Sequence, residues 1–183
     1  MRSSILTLKE LILFAILGSI MLISHMALIL IPNVHLIGLF IAAFTLTYRV
    51  RALIPVYVYV MLYGAIYGFS PWWIPYLYIW LPIWGMFMLI GRLNKSAKIK
   101  VPVYMTLCAL HGLLFGILYA PLQAWIFGLN FQGMIAWIIA GIPFDVIHAV
   151  SNFALGILII PLSELLKKLN SQLYSKANLE RSG

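Results

Sequence analysis

The chain has 183 residues, 64% of them hydrophobic and 9% charged. Its mean hydropathy is +1.05. Soluble domains carry roughly a quarter charged residues, so a soluble globular class is excluded, and the length suits one domain. The formal net charge of +8 does not describe a nucleic-acid surface, because the basic residues sit in short clusters between long apolar runs.

The N-terminal MRSSILTLKE leads into the first apolar run with no small-residue cleavage site behind it. No cleavable signal peptide is expected, and residues 1–10 read as a cytoplasmic N-terminus. Predicted spans then follow at Leu11 to Leu30, Val34 to Tyr48, Ala52 to Phe69, Trp72 to Ile90 and Val101 to Phe127, with a last one ending near Leu162. A bilayer core needs about 20 helical residues, so the second span is short and is expected either to pack against neighbours or to lie in thinned membrane. The apolar region from Phe131 to Leu162 is too long for one perpendicular span. Counting back from its inner end starts the sixth span near Gly141 to Pro143, since proline suits a first turn. Gln132 to Ala140 is then an outer segment folded over the bundle, or a helical extension kinked at Pro143.

Arg2 and Lys9, then Arg49 and Arg51, then Arg92, Lys95, Lys98 and Lys100, then Lys167, Lys168, Lys176 and Arg181 account for all twelve basic residues. The intervening turns, IPN (31–33), SPWW (70–73) and GLNFQG (128–133), carry no charge. Lys/Arg-rich loops stay cytoplasmic. The expected fold is therefore all-α, a compact bundle of six transmembrane helices over residues 11–168 with both termini cytoplasmic, and residues 169–183 form a cytoplasmic tail.

Within GIPFDVIHAVSNFALGILIIPL (141–162), Asp145, His148 and Asn152 are spaced i, i+3, i+7 and share one helix face. Ionisable groups at membrane depth usually face the bundle interior or a water-filled cavity, while an interhelical hydrogen-bond network is the alternative. His111 lies in the fifth span, His25 and His35 flank the first outer turn and Asn33 sits in it, and Gln123 and Asn130 lie near the third. Each serves a cap, a packing contact or a ligand. Aromatic residues crowd the second outer turn, where an interfacial belt is the ordinary reading. Trp73, Tyr76 and Trp80 share a face there and suit stacking on a flat ring.

No Lys or Arg falls in an outer turn or outer half-span, which disfavours a strongly anionic ligand. A neutral or cationic heterocycle fits better, with Asp145 pairing a ring N–H or ammonium and the aromatic rings stacking. No HExxH or GxSxG occurs, and Asp145 has no second acid beside it in the apolar runs. Neither enzymatic activity nor a cofactor is expected. The single cysteine, Cys108, excludes a disulfide framework and a Cys-based metal site.

Six short spans in under two hundred residues, with both ends inside, resemble the substrate-binding (S) components of bacterial energy-coupling factor (ECF) vitamin transporters, over Leu11 to about Lys168. In that family an Ala-xxx-Ala pattern in the first span docks onto the coupling subunit. Here FAILGSI supplies Ala15, Gly18 and Ser19, with Ser19 standing for the second alanine. The resemblance implies a high-affinity binder of a water-soluble vitamin or precursor in the bacterial cell membrane. It also implies partnership with a transmembrane coupling subunit and two cytoplasmic ATPases. The ligand would sit near the outer face among spans four to six. The metal-ion branch of the family uses an N-terminal histidine that this chain lacks, so no metal is expected. Two alternatives stand beside this reading: a membrane scaffold of the MreD type, and a small secondary transporter proton-coupled through Asp145 and His148.

Overall fold

The computed structural model describes residues 6–91 and 96–182, the side chains of 97, 98 and 173–182 excepted. Arg2, Arg92 and Lys95 lie outside the described residues. Regular structure among them is helical: α1 (Leu8–Ala27), α2 (Ile37–Tyr48), α3 (Leu53–Tyr67), α4 (Leu81–Ile90), α5 (Ala97–Leu113), α6 (Phe115–Ile126), α7 (Phe131–Leu155) and α8 (Ile159–Ser182). Short 3-10 turns occupy Arg49–Ala52, Ile74–Leu77 and Gly156–Leu158. Four helical stretches are long and apolar enough to cross a membrane, namely Leu8–Ala27, Ile37–Tyr67, Ile99–Ile126 and Phe131–Gln172, with a shorter apolar helix at Ile74–Ile90. Large apolar side chains such as Ile12, Ile16, Ile23, Trp125, Phe144 and Val150 point outward. That is the exterior of a helical membrane protein rather than of a water-facing one.

Local chemistry starts and stops these helices. Thr7 and Glu10 form a capping box on α1, satisfying two of the N–H groups a helix start leaves open. Asn130 caps α7 by accepting from the Gly133 N–H at 2.8 Å. The apolar stretch Ile37–Tyr67 is not one rod. Arg49 has φ 60° and ψ −123°, the first corner of a type II′ turn, and the chain reverses there. Arg49 Nη2 donates to Met88 O at 2.7 Å, which ties that corner to the end of α4.

Pairwise contacts fix helix directions. Glu10 pairs with Arg51, Gly18 lies against Val58 and Pro55, and His25 stacks on Tyr63, so α1 and α3 are parallel. Phe14 meets Tyr48 while His25 meets His35, so α2 opposes α1. Trp80 lies near Tyr59 and Met88 near Arg49, so α4 opposes α3. Phe87 meets Tyr104 and Trp80 meets His111, so α5 opposes α4. Gly156 abuts Met105, Gly112 abuts His148 and Gly116 abuts Asp145, so α7 opposes α5 and α6.

Short α2 sits at the centre, packed on α4, α5 and α8, with Ile37, Leu39, Ile41, Ala42, Ala43 and Phe44 all buried. The short helix is packed against its neighbours, one of the two arrangements expected for it. Several sequence expectations are corrected. The first helix ends at Ala27 rather than Leu30. The predicted fourth span is regular only from Leu81, because Pro71, Pro75 and Pro82 leave a 3-10 turn and irregular chain before it. The fifth is broken at Leu114 into α5 and α6. No new helix starts near Gly141 to Pro143: α7 runs unbroken from Phe131 through Pro143 to Leu155. Gln132 to Ala140 is thus a helical extension of the same helix. Within the stretch expected as a tail, α8 continues as helix to Ser182.

Candidate functional site

The chain's four histidines are His25, His35, His111 and His148, drawn from α1, the turn before α2, α5 and α7. They meet in one network of rings. His35 lies 4.5 Å from His148 and 5.5 Å from His25, centroid to centroid. Trp80, at the start of α4, lies 6.2 Å from His35 and 5.9 Å from His111. Phe115, at the start of α6, closes the circuit at 5.0 Å from His148 and 6.4 Å from His111. Five rings from five segments thus form a closed cycle. Trp80, His111 and His148 are each at most 3% exposed.

Small residues and backbone bonds set this geometry. A Cβ on Gly112 would stand 2.9 Å from the backbone of His148, so α5 and α7 touch main chain to main chain, an approach small residues permit in membranes. His111 and His148 are thereby brought alongside. His111 Nε2 lies 2.8 Å from Ile79 O, which fixes its ring beside Trp80. His35 Nδ1 accepts from the Ile37 N–H at 3.3 Å. Asn33 adopts φ 59°, a left-handed conformation asparagine tolerates, and its carbonyl accepts from Ser151 Oγ at 3.2 Å. That bond pins the turn at residues 31–33 to α7 next to His148.

The polar stripe of α7 divides by role. Both Asp145 oxygens accept from the Gly116 N–H, at 3.1 and 3.2 Å. The break at Leu114 starts a new helix at Phe115, and Asp145 from the neighbouring helix binds a first-turn N–H that would otherwise lack a partner. A carboxylate there also complements the positive end of α6. Any Cβ on residue 116 would collide with the carboxylate. Asp145 is thus an interhelical contact that joins α7 to the start of α6. Asn152 Nδ2 donates to Cys108 O at 3.3 Å, leaving its Oδ1 beside Gly38.

Among the described residues, five buried side-chain nitrogen and oxygen atoms have no hydrogen-bonding partner: Trp80 Nε1, His111 Nδ1, Gln123 Oε1, His148 Nε2 and Asn152 Oδ1. Buried polar groups are nearly always bonded, so each such group calls for a reason. Three of the five belong to the ring cycle and a fourth, on Asn152, lies one helical turn below His148. Gln123 stands apart, about 12 Å along α6 from Phe115.

The remaining candidates fall outside the cycle. Trp73 Nε1 donates to Val60 O at 2.8 Å, which fastens the turn at residues 70–73 to α3. Tyr76 bridges two groups of rings, 5.6 Å from Trp80 and 5.4 Å from Tyr63. Tyr119 Oη donates to Trp72 O, so the turn at residues 70–73 is tied across to α6. Gly18, expected on a docking face, is buried against Val58 Cγ1, where a Cβ would stand at 2.6 Å. Ala15 stays exposed, and Ser19 Oγ bonds Ala15 O at 2.9 Å.

Three participants lie outside the residues singled out by sequence. Tyr59 is fully buried with its hydroxyl 2.7 Å from His25 Nδ1. Tyr63 stacks on His25 at 4.8 Å. Their spacing with Tyr67, every four residues along one face, was a usable signal, whereas a lone phenylalanine at 115 offered none. Among the described residues no group of His, Cys, Asp and Glu is arranged to hold a metal ion. Comparison of the chain with protein-family models, with curated proteins and with solved structures gives no match.

Proposed function

We propose that this chain is the substrate-binding subunit of an ATP-driven importer, capturing a small water-soluble organic molecule, of the vitamin or vitamin-precursor kind, near the outer face of a bacterial cell membrane. In this reading it crosses the membrane six times with both ends inside and hands its ligand on through an ECF-type coupling subunit with two ATPases. The reversal at Arg49 and the alternating helix directions support six crossings. Basic residues gather at the end where Arg51 meets Glu10 and Arg49 meets Met88, which supports that end as the cytoplasmic one.

One observation carries the binding reading. Trp80, His111 and His148 belong to one closed cycle of rings, and each carries a buried polar atom without a hydrogen-bonding partner. Convergent polar groups in an aromatic setting are the mark of a small-molecule site. The test is to purify the protein from cells grown in rich medium and identify co-purifying small molecules by mass spectrometry, with thermal stabilisation by a vitamin panel in parallel. A bound organic solute that raises the melting temperature is the expected result. Protein that carries nothing and is stabilised by nothing would end the reading.

A scaffold of the MreD type is the second reading, and a specific feature favours it. Asp145 and Asn152 both bond backbone groups of neighbouring helices, as packing residues do. A scaffold would give the second outcome of the same experiment.

A further inference from the structure

The hydrogen-bonding character of the unpartnered atoms can be worked out one at a time. Ile79 O can only accept, so His111 Nε2 carries the hydrogen. In a neutral imidazole the other nitrogen then offers a lone pair, and His111 Nδ1 is the unpartnered one. Trp80 Nε1 can only donate. Asn152 uses its amide N–H toward Cys108 O, so its unpartnered Oδ1 accepts. His148 Nε2 serves either way according to its tautomer. The set thus holds one fixed donor, two fixed acceptors and one adaptable nitrogen.

Charge is equally constrained. The four acidic residues of the chain are Glu10, Asp145, Glu164 and Glu180. Of these only Asp145 lies on α7 with the stripe, and both its oxygens are engaged by Gly116. The positive end of α6 already offsets that carboxylate's charge, which weakens its pull on an ammonium ligand. A carboxylate or phosphate ligand would find no Lys or Arg, since the basic clusters fall elsewhere in the sequence. Burying either charge without a partner is costly. The neighbouring rings, Trp80, His35, His148 and Phe115, make an aromatic setting that suits a flat ring.

We propose that the cluster of Trp80, His111, His148 and Asn152 selects an uncharged planar heterocycle with a lactam or carboxamide edge, its carbonyl accepting from Trp80 and its N–H groups donating to His111 and Asn152. This rests on the binder reading above and narrows it, with Asp145 serving as the anchor of α6 and not as a reader of the ligand.

The test measures binding to the purified full-length protein for nicotinamide, cytosine and guanine as uncharged probes, thiamine as a permanent cation and biotin as an anion, beside the identity of any co-purified solute. The expected result is a solute or probe without net charge at neutral pH, with affinity indifferent to salt. Trp80→Phe, which keeps a ring but loses the N–H, weakens binding about tenfold, as does His111→Leu, because each removes one buried hydrogen bond. Asp145→Asn changes affinity by less than about threefold, the loss falling on the melting temperature instead. Unchanged melting of Trp80→Phe shows that this variant folds. Preference for thiamine or biotin, an affinity untouched by both Trp80→Phe and His111→Leu, or abolition of binding by Asp145→Asn overturns the neutral-edge assignment while leaving a binder in place. If nothing co-purifies, no probe binds and only ordered water occupies those atoms, the binder reading falls and takes this inference with it.

Discussion

At position 116 the chain has a glycine for a reason outside its own helix. Asp145 reaches across from α7 to the Gly116 N–H, and a methyl group there would strike the carboxylate. Gly116→Ala is therefore expected to destabilise the fold by about 1–3 kcal/mol, the range for overpacking a tight contact. Asp145→Leu should cost a similar amount, about 1–3 kcal/mol, by leaving a buried N–H unsatisfied. Asp145→Asn, whose amide oxygen can still accept, should cost less. Thermal melting in detergent separates these outcomes, and equal losses for Leu and Asn would contradict the anchor role. The i, i+3, i+7 spacing of Asp145, His148 and Asn152 was legible in the sequence, and all three are buried as that spacing implied. Their partners were not legible, because two are backbone groups on other helices, and a backbone N–H or carbonyl leaves no trace in residue identity.

Among whole helices, the pairing of α1 with α3 depends on Gly18, whose Cβ position is already occupied by Val58 and the Pro55 carbonyl. Gly18→Val is expected to lower stability by about 1–3 kcal/mol through overpacking, whereas Ala15→Val, on an exposed face, should leave the melting temperature unchanged. A Gly18→Val protein that melts like the parent would remove the glycine from that interface. A small-residue pattern records that something comes close to a helix without saying what. That is why Ala15, Gly18 and Ser19 looked alike in sequence and separate in the fold. Helix existence was readable from apolar run length and from turn residues. Interruptions within runs were harder. Leu114 carries no breaking signal, while Pro143, which does, is absorbed inside α7, as lipid-embedded helices often tolerate.

For the molecule as a whole, the proposed orientation can be read directly with thiol chemistry. Cys108 is the only cysteine and is 1% exposed, so the native chain should stay silent toward a membrane-impermeant maleimide. Asn130→Cys, before α7, should label on intact cells, and Ser96→Cys, before α5, only after permeabilisation. The reverse pattern would invert the proposed topology. The positions of the basic clusters in the sequence are what this proposed orientation rests on. Convergence of the histidines was beyond the sequence, because it depends on main-chain contact between α5 and α7 at Gly112 and on the reversal at Arg49.

That convergence has an experimental corollary. Because the protein has four imidazoles and all belong to one set of touching rings, feeding cells isotope-labelled histidine yields nuclear magnetic resonance signals from this region and nowhere else. A solute entering or leaving it would be recorded against a spectrum with no background.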